Sequence, residues 1–220
     1  MNRIRAMVVE DDAFTRSMIA SSLQLQGIDV VVETGSVTQA IKAGQISKPN
    51  VAILDLDLGS GPTGIDLALA LRRANPTIGI VMLTTFEDPR LHSPGLPDLP
   101  SGSIYLVKRE ISDIELLFKA IKKTILESGA LPREVVKNLN KRTFGDLTDS
   151  QIETMRLIAR GLSNAQIAKT RGINEKSVEQ TISRLAKQLK IESNAESNQR
   201  VQISRLFYKL TGSNSANDEN

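Results

Sequence analysis

The feature that most constrains this chain is a repeated alternation of short apolar runs and helical patterns over its first 127 residues, with polar residues closing run after run. Ile4 to Val9 is apolar, and Glu10, Asp11 and Asp12 follow at once. Arg16 to Gln26 carries Met18, Ile19, Leu23 and Leu25 at helical spacing and stops at Gly27. Ile28 to Thr34 alternates and is β-branched, which predicts a strand. Ser36 to Gln45 reads as a helix entered through a serine cap. Val51 to Leu54 is a buried strand ending at Asp55, and Ile65 to Ala74 is a helix bounded by Gly64 and Pro76. Ile78 to Leu83 ends at Thr84, Ile104 to Val107 ends at Lys108, and Asp113 to Leu126 is amphipathic. Five such strands predict an α/β fold, a doubly wound five-stranded parallel sheet with helices on both faces.

In sheets of that kind ligands sit at the carboxyl ends of the strands. Here those ends carry Glu10 and Asp11, then Asp55, Thr84 and Lys108, a charge-balanced rim. Clustered carboxylates repel one another and favour a hard cation with oxygen ligands, Mg²⁺ above all. A metal beside Asp55 steadies an incoming phosphoryl group while the carboxylate attacks phosphorus. Lys108 and the Thr84 hydroxyl are placed to hold the phosphoryl oxygens. The bland alternative is a structural ion-pair cluster.

These residues resemble the receiver domain of bacterial two-component response regulators, a flavodoxin-like fold, from about Arg3 to Glu127. The carriers are Val8-Val9-Glu10-Asp11-Asp12, Ile53-Leu54-Asp55, Met82-Leu83-Thr84 and Tyr105-Leu106-Val107-Lys108, in order and at the right spacings. The resemblance implies that Asp55 accepts phosphate from the phosphohistidine of a sensor histidine kinase. It implies that Glu10 and Asp11 bind Mg²⁺ with Asp55, the backbone carbonyl of Asp57 adding a ligand. Thr84 would follow the phosphate, Tyr105 would turn inward as the switch, and Lys108 would pair with the phosphoryl oxygens. One departure concerns the fourth helix, for which the interval from Asp88 to Pro100 offers four prolines and no helical period. Proline inside a helix costs ~3 kcal/mol or more, so an irregular loop is expected there. Arg109 is a second departure, standing where many receivers have proline or an acidic residue.

From Leu147 the pattern turns wholly helical. Thr148 or Asp149 caps a helix running through Gly161, with Ile152, Met155, Leu157 and Ile158 on its apolar face. Asn164 to Thr170 is a short helix, Gly172 supplies a tight corner, and Glu175 to Lys190 is a longer helix with Val178, Ile182, Leu185 and Leu189 inside. That is a helix-turn-helix. The run Gly161-Leu162-Ser163-Asn164-Ala165-Gln166-Ile167-Ala168 resembles the LuxR-type DNA-binding domain. The resemblance implies a recognition helix over Glu175 to Lys190, with Lys176, Ser177, Gln180, Thr181 and Arg184 facing double-stranded DNA. Lys176 and Arg184 suit phosphates and Gln180 suits adenine. Glu179 stands where the family commonly has a basic residue, and Thr181 where it often has histidine. Gln199 to Leu210 has the spacing of a further helix, which in this family can form a dimer interface; an active homodimer is expected, and packing on its own domain is the alternative.

Charge divides along the same line: 13 Lys/Arg against 15 Asp/Glu through Glu127, then 15 against 10 from Ser128 onward. A basic second half fits a polyanionic partner. The expected organisation is a receiver over 1–127, a linker with one helix over 128–145, a small all-α helix-turn-helix domain over 146–212 and a disordered polar tail over 213–220. Without cysteine, disulfides and thiolate metal sites are excluded, and the single His92 cannot build a histidine metal centre. No apolar run approaches the ~18 residues of a membrane span and no signal-peptide core opens the chain, so a cytoplasmic protein without membrane contact is expected.

The leading function is a phosphorylation-switched transcription regulator, not an enzyme. Asp55-Leu56-Asp57 superficially resembles the aspartate pair of haloacid-dehalogenase-like phosphatases, but that pair follows a first strand and has Thr or Val where this chain has Gly59. The remaining alternative is a DNA-binding regulator controlled mainly by a partner protein or by dimerisation, for which the proline-rich loop and Glu179 speak.

Overall fold

The computed structural model describes residues 3–93, 95–111, 114–126, 147–191 and 198–212. The chain forms two compact units: Met1–Thr85 with Leu96–Asn140, and Phe86–Gly95 with Lys141–Asn220. The first holds strands β1 (Arg5–Val9), β2 (Asp29–Thr34), β3 (Val51–Leu54), β4 (Gly79–Thr84) and β5 (Ile104–Val107) in the order β2-β1-β3-β4-β5. All neighbours are parallel. Helices α1 (Ala13–Leu25), α2 (Val37–Ser47), α3 (Gly64–Ala74) and α5 (Ile114–Leu126) complete it, while α4 (Pro89–His92) falls in the second unit. The doubly wound parallel sheet is therefore present as the strand pattern predicts.

β3 and β4 are buried along their whole lengths, which is why their sequences are continuous apolar runs rather than alternating ones. Val8, Ile53, Val81 and Leu83 on the sheet pack against Leu117, Phe118 and Ile121 of α5. Register then decides where chemistry collects. Val9 pairs with Leu54 and Thr84 with Val107, so Glu10, Asp55 and Lys108 leave their strands at one rim.

Gly64 holds that rim close. A Cβ there would lie 1.8 Å from the carbonyl oxygen of Asp55, and the Gly64 N–H donates to the Leu56 carbonyl at 2.9 Å. The capping box of Thr63 and Asp66 starts α3 at this point. Gly64→Ala must push α3 and the Asp55 loop apart, costing ~1–3 kcal/mol or more because backbone is what it meets. Denaturant unfolding is expected to show that loss.

The second unit contains α6 (Asp149–Ala159), α7 (Asn164–Arg171), α8 (Glu175–Gln188) and α9 (Gln199–Thr211). Capping boxes start two of these helices, Thr148 with Gln151 and Ser163 with Gln166, and Asn174 caps α8. Gly172, at φ +63°, makes the left-handed turn between α7 and α8. Ile152, Met155, Ile167, Val178, Leu185 and Ile203 form the core, and Leu91 from α4 is buried among them.

The stretch from Asp88 to Pro100 departs from expectation. Pro89–His92 is a helical turn, with Asp88 accepting from the Arg90 N–H at 2.9 Å and Pro89 in the first turn. Proline has no N–H to lose there and its φ suits a helix, so the penalty that applies in helix interiors does not arise. Beyond it the chain is irregular from Leu96 to Pro100, as expected. The helix predicted within 128–145 and the tail over 213–220 lie outside the described residues.

Candidate functional site

Glu10 and Asp55 are buried, 2% and 6% exposed, at the carboxyl ends of β1 and β3. Asp11 is exposed beside them, and one carboxylate oxygen from each of the three lies within 4.8 Å of the others. The Lys108 ammonium sits between the two buried members, donating to Asp55 Oδ2 at 2.7 Å and 2.6 Å from Glu10 Oε2. The Leu56 N–H donates to Asp55 Oδ1 at 2.6 Å, which leaves the carboxylate fixed in orientation. Thr84 is fully buried at the end of β4, and Tyr105 is half-buried on β5 opposite Met82. Asp57 lies in the loop after β3, its Oδ1 accepting from the Gly59 N–H at 3.1 Å; its side chain is not in the carboxylate cluster.

Burial pushes the Glu10 carboxyl up to about 7; the hydrogen bond from Lys108 opposes this, and the Asp55 charge adds to it. Burial alone would lower the Lys108 ammonium, but Asp55 and Glu10 outweigh that and its pKa is raised. Asp12, the third carboxylate of the run, is lowered chiefly by the Thr15 N–H and caps α1 instead of joining the pocket. The hard oxygen donors converge as a divalent cation requires, and a positive charge already offsets them, so the residues fit Mg²⁺. Arg16 was missed by sequence reasoning: its Nη1 donates to the Glu10 carbonyl at 2.6 Å and holds the acidic turn. Its position one turn into α1 is the only signal the sequence offers.

In the second unit Lys176, Gln180 and Arg184 recur every four residues and form one exposed stripe on α8. Ser177 and Thr181 are half-buried and engaged locally: the Ser177 hydroxyl donates to the Asn174 cap at 3.0 Å and the Thr181 hydroxyl to the Ser177 carbonyl at 2.8 Å. Glu179 is exposed on the same helix. A cleft of about 360 Å³ beside the stripe is lined by Arg184 and Lys187 together with Thr148 and Ser150 at the start of α6. Lys187 was not singled out from the sequence, although its spacing of three from Arg184 puts it on the same face.

Residues 6–97 match the response regulator receiver domain family and residues 146–201 match the bacterial regulatory proteins of the luxR family. The chain is a LuxR-type response regulator. Curated relatives include the nitrate/nitrite response regulator protein NarP of Escherichia coli K12, 31% identical over 94% of this chain and 96% of that protein. The response regulator protein VraR of Staphylococcus saprophyticus is 30% identical over 88% of this chain and 93% of its own length. Among solved structures, an RcsB–DNA complex covers 96% of this chain and 100% of that chain at a TM-score of 0.56 and 22% identity, a likeness of fold.

As a LuxR-type response regulator the chain is a DNA-binding transcription regulator of a non-enzymatic kind. Among the described residues no helix is long and apolar enough to cross a membrane. The buried acidic pocket lies in the part matched to the receiver, and the basic stripe in the part matched to the DNA-binding domain.

Proposed function

We propose that Asp55 is the phosphoacceptor of a two-component relay and that its phosphorylation controls DNA binding or dimerisation. The observation that carries this reading is the Lys108 ammonium bridging Asp55 and Glu10 at a buried strand-end rim. An Asp55 oxygen attacks the phosphorus of a phosphohistidine on a sensor histidine kinase. The new O–P bond forms as the P–N bond breaks, and the imidazole leaves with the electron pair. Lys108 passes from the carboxylates to a phosphoryl oxygen, and the Thr84 hydroxyl donates to another. Tyr105 turns inward as the switch. Glu10, Asp11, Asp55 and the Asp57 carbonyl would hold Mg²⁺, which would supply charge neutralisation where one anion approaches another.

Lys176 and Arg184 meet backbone phosphates of double-stranded DNA, Gln180 reads a base edge, and Ser177 and Thr181 line the same approach. Two copies on DNA would double these contacts; Ile203 and Leu210 pack α9 onto its own unit, so an interface there would use its outer face, where Val201 is exposed. Such a regulator works in the bacterial cytoplasm, where its DNA is.

Intact mass after incubation with acetyl phosphate and Mg²⁺ tests the first step. One phosphate is expected on the wild-type chain, none without Mg²⁺ and none on Asp55→Asn. Equal uptake by Asp55→Asn would place the phosphate elsewhere and end this reading.

A further inference from the structure

The segment between β4 and β5 is built into the DNA-binding unit. The chain leaves the first unit after Thr85, one residue beyond the buried Thr84, and Phe86–Gly95 belongs to the second. Three anchors fix it there. The Glu87 N–H donates to the Leu210 carbonyl at 3.1 Å, satisfying an acceptor that the last turn of α9 leaves open. Leu91 is 3% exposed within the core made by α6 to α9, and Phe86 packs against the same cluster. Arg90 is the third anchor. It pairs with Asp88 at 2.8 Å, donates to the Leu147 carbonyl at 2.9 Å and reaches Asp149 at 3.1 Å. Arg156 of α6 returns a hydrogen bond to the Arg90 carbonyl at 2.9 Å.

A loop that merely joined two strands would need none of these contacts. Surface connections keep their polar groups in water, whereas here a guanidinium is 15% exposed and, besides its neighbour Asp88, bonds two partners more than fifty residues away in sequence, Leu147 and Asp149. The arrangement gives the DNA-binding unit a component whose other end is covalently tied to the strand that carries Thr84.

We propose that Phe86–Ser93 is a tether that passes the state of the phosphate pocket directly into α6 and α9. It rests on the reading of Asp55 as phosphoacceptor and Thr84 as the residue that follows the phosphate. A shift of Thr84 pulls on Phe86, and the pull loads the Glu87, Arg90 and Leu91 anchors at the start of α6 and the end of α9. Because α9 is the candidate dimer helix, the tether sets whether its last turn is held or released. The missing regular fourth helix is then a change of the output route, not a loss of it.

The decisive variant inserts Gly-Ser-Gly between Thr85 and Phe86, which slackens the tether and leaves every anchor in place. Three measurements are made on the full chain with acetyl phosphate and Mg²⁺: phosphate uptake by intact mass, amide exchange over 86–93, α6 and α9, and affinity for a duplex that the chain itself selects from a random pool. In the wild type, phosphate is expected to change exchange at the anchors and DNA affinity by about 5- to 150-fold, the usual range of coupling between sites. The insertion variant is expected to take up phosphate normally, keep the unphosphorylated exchange pattern and respond less than about twofold. A full response in that variant, or unchanged exchange over 86–93 in a wild type that has gained phosphate, would overturn the tether.

Absence of any mass gain in the wild type is a different failure: it sinks the Asp55 reading and the phosphate drive with it. Arg90→Ala then judges the docking alone, with faster exchange expected at the start of α6 and the end of α9. Unchanged exchange there would show that Arg90 anchors nothing.

Discussion

Lys108→Met is expected to make the receiver unit unstable at alkaline pH and nearly normal at acid pH. The substitution removes the cation from two buried carboxylates that it holds at 2.6 and 2.7 Å. Breaking one side of a buried pair costs about 3–5 kcal/mol, and the partial exposure of Lys108 brings the expectation to about 2–4 kcal/mol near pH 8. The pH dependence follows from Glu10. Its carboxyl already titrates at about 7 through burial, against the downward pull of the Lys108 hydrogen bond. Without that hydrogen bond it rises further. A folded pKa above the unfolded one means that the folded state holds the proton more tightly. Its contribution is complete below the ordinary value of 4.5 and disappears as pH climbs through the folded value. Thermal melts of wild type and variant should therefore converge at pH 5 and separate steadily above pH 7. Mg²⁺ should recover part of the loss at high pH, where the carboxylates are free to bind it. Parallel melting curves across that range would show that the ammonium is incidental to the pocket.

If the cleft beside the α8 stripe faces DNA, removing both of its cations, as Arg184→Ala with Lys187→Ala, is expected to weaken binding to every duplex tested. Each phosphate contact contributes about 0.9 to the slope of log affinity against log salt, so the slope should fall by roughly 2. The loss should be the same for preferred and unrelated sequences, because phosphates carry no sequence information. Gln180→Ala is the contrasting case, expected to cost ~1–3 kcal/mol on the preferred site and little elsewhere. Fluorescence anisotropy over a salt series separates the two. An unchanged slope in the double variant would show that the cleft between α6 and α8 makes no phosphate contact.

The sheet was legible because strands buried on both faces leave continuous apolar runs, as in Val51 to Leu54, and nothing else in so short a stretch explains them. The rim was legible for a related reason: polar residues that close such runs must emerge at the same edge. Helix starts were harder to place. α1 begins at Ala13 and not Arg16, because Asp12 caps it through the Thr15 N–H. A run of three acidic residues does not announce which one belongs to a helix. The Pro89–His92 turn was missed since its formation depends on Asp88 as cap and on the docking of Leu91 in a core contributed by distant residues. Local propensity has no access to that burial. Lys187 escaped because its significance lies in a cleft shared with Thr148 and Ser150 of another helix.

The composition of the segment after β4 has a reason in the order of synthesis. Phe86 and Leu91 leave the ribosome well before Leu147 and the helices that will cover them. At about 5–20 residues per second, ~3–11 s pass before Leu147 emerges and ~6–24 s before Leu210 does. During that time an apolar stretch lies next to freshly made β-strands, the setting in which chains add to one another edge to edge. Pro89, Pro94, Pro97 and Pro100 punctuate that stretch and deny it the N–H groups that a growing sheet would need. The prolines that make the region look structureless also withhold ladder donors from any sheet edge while the chain waits for its second unit.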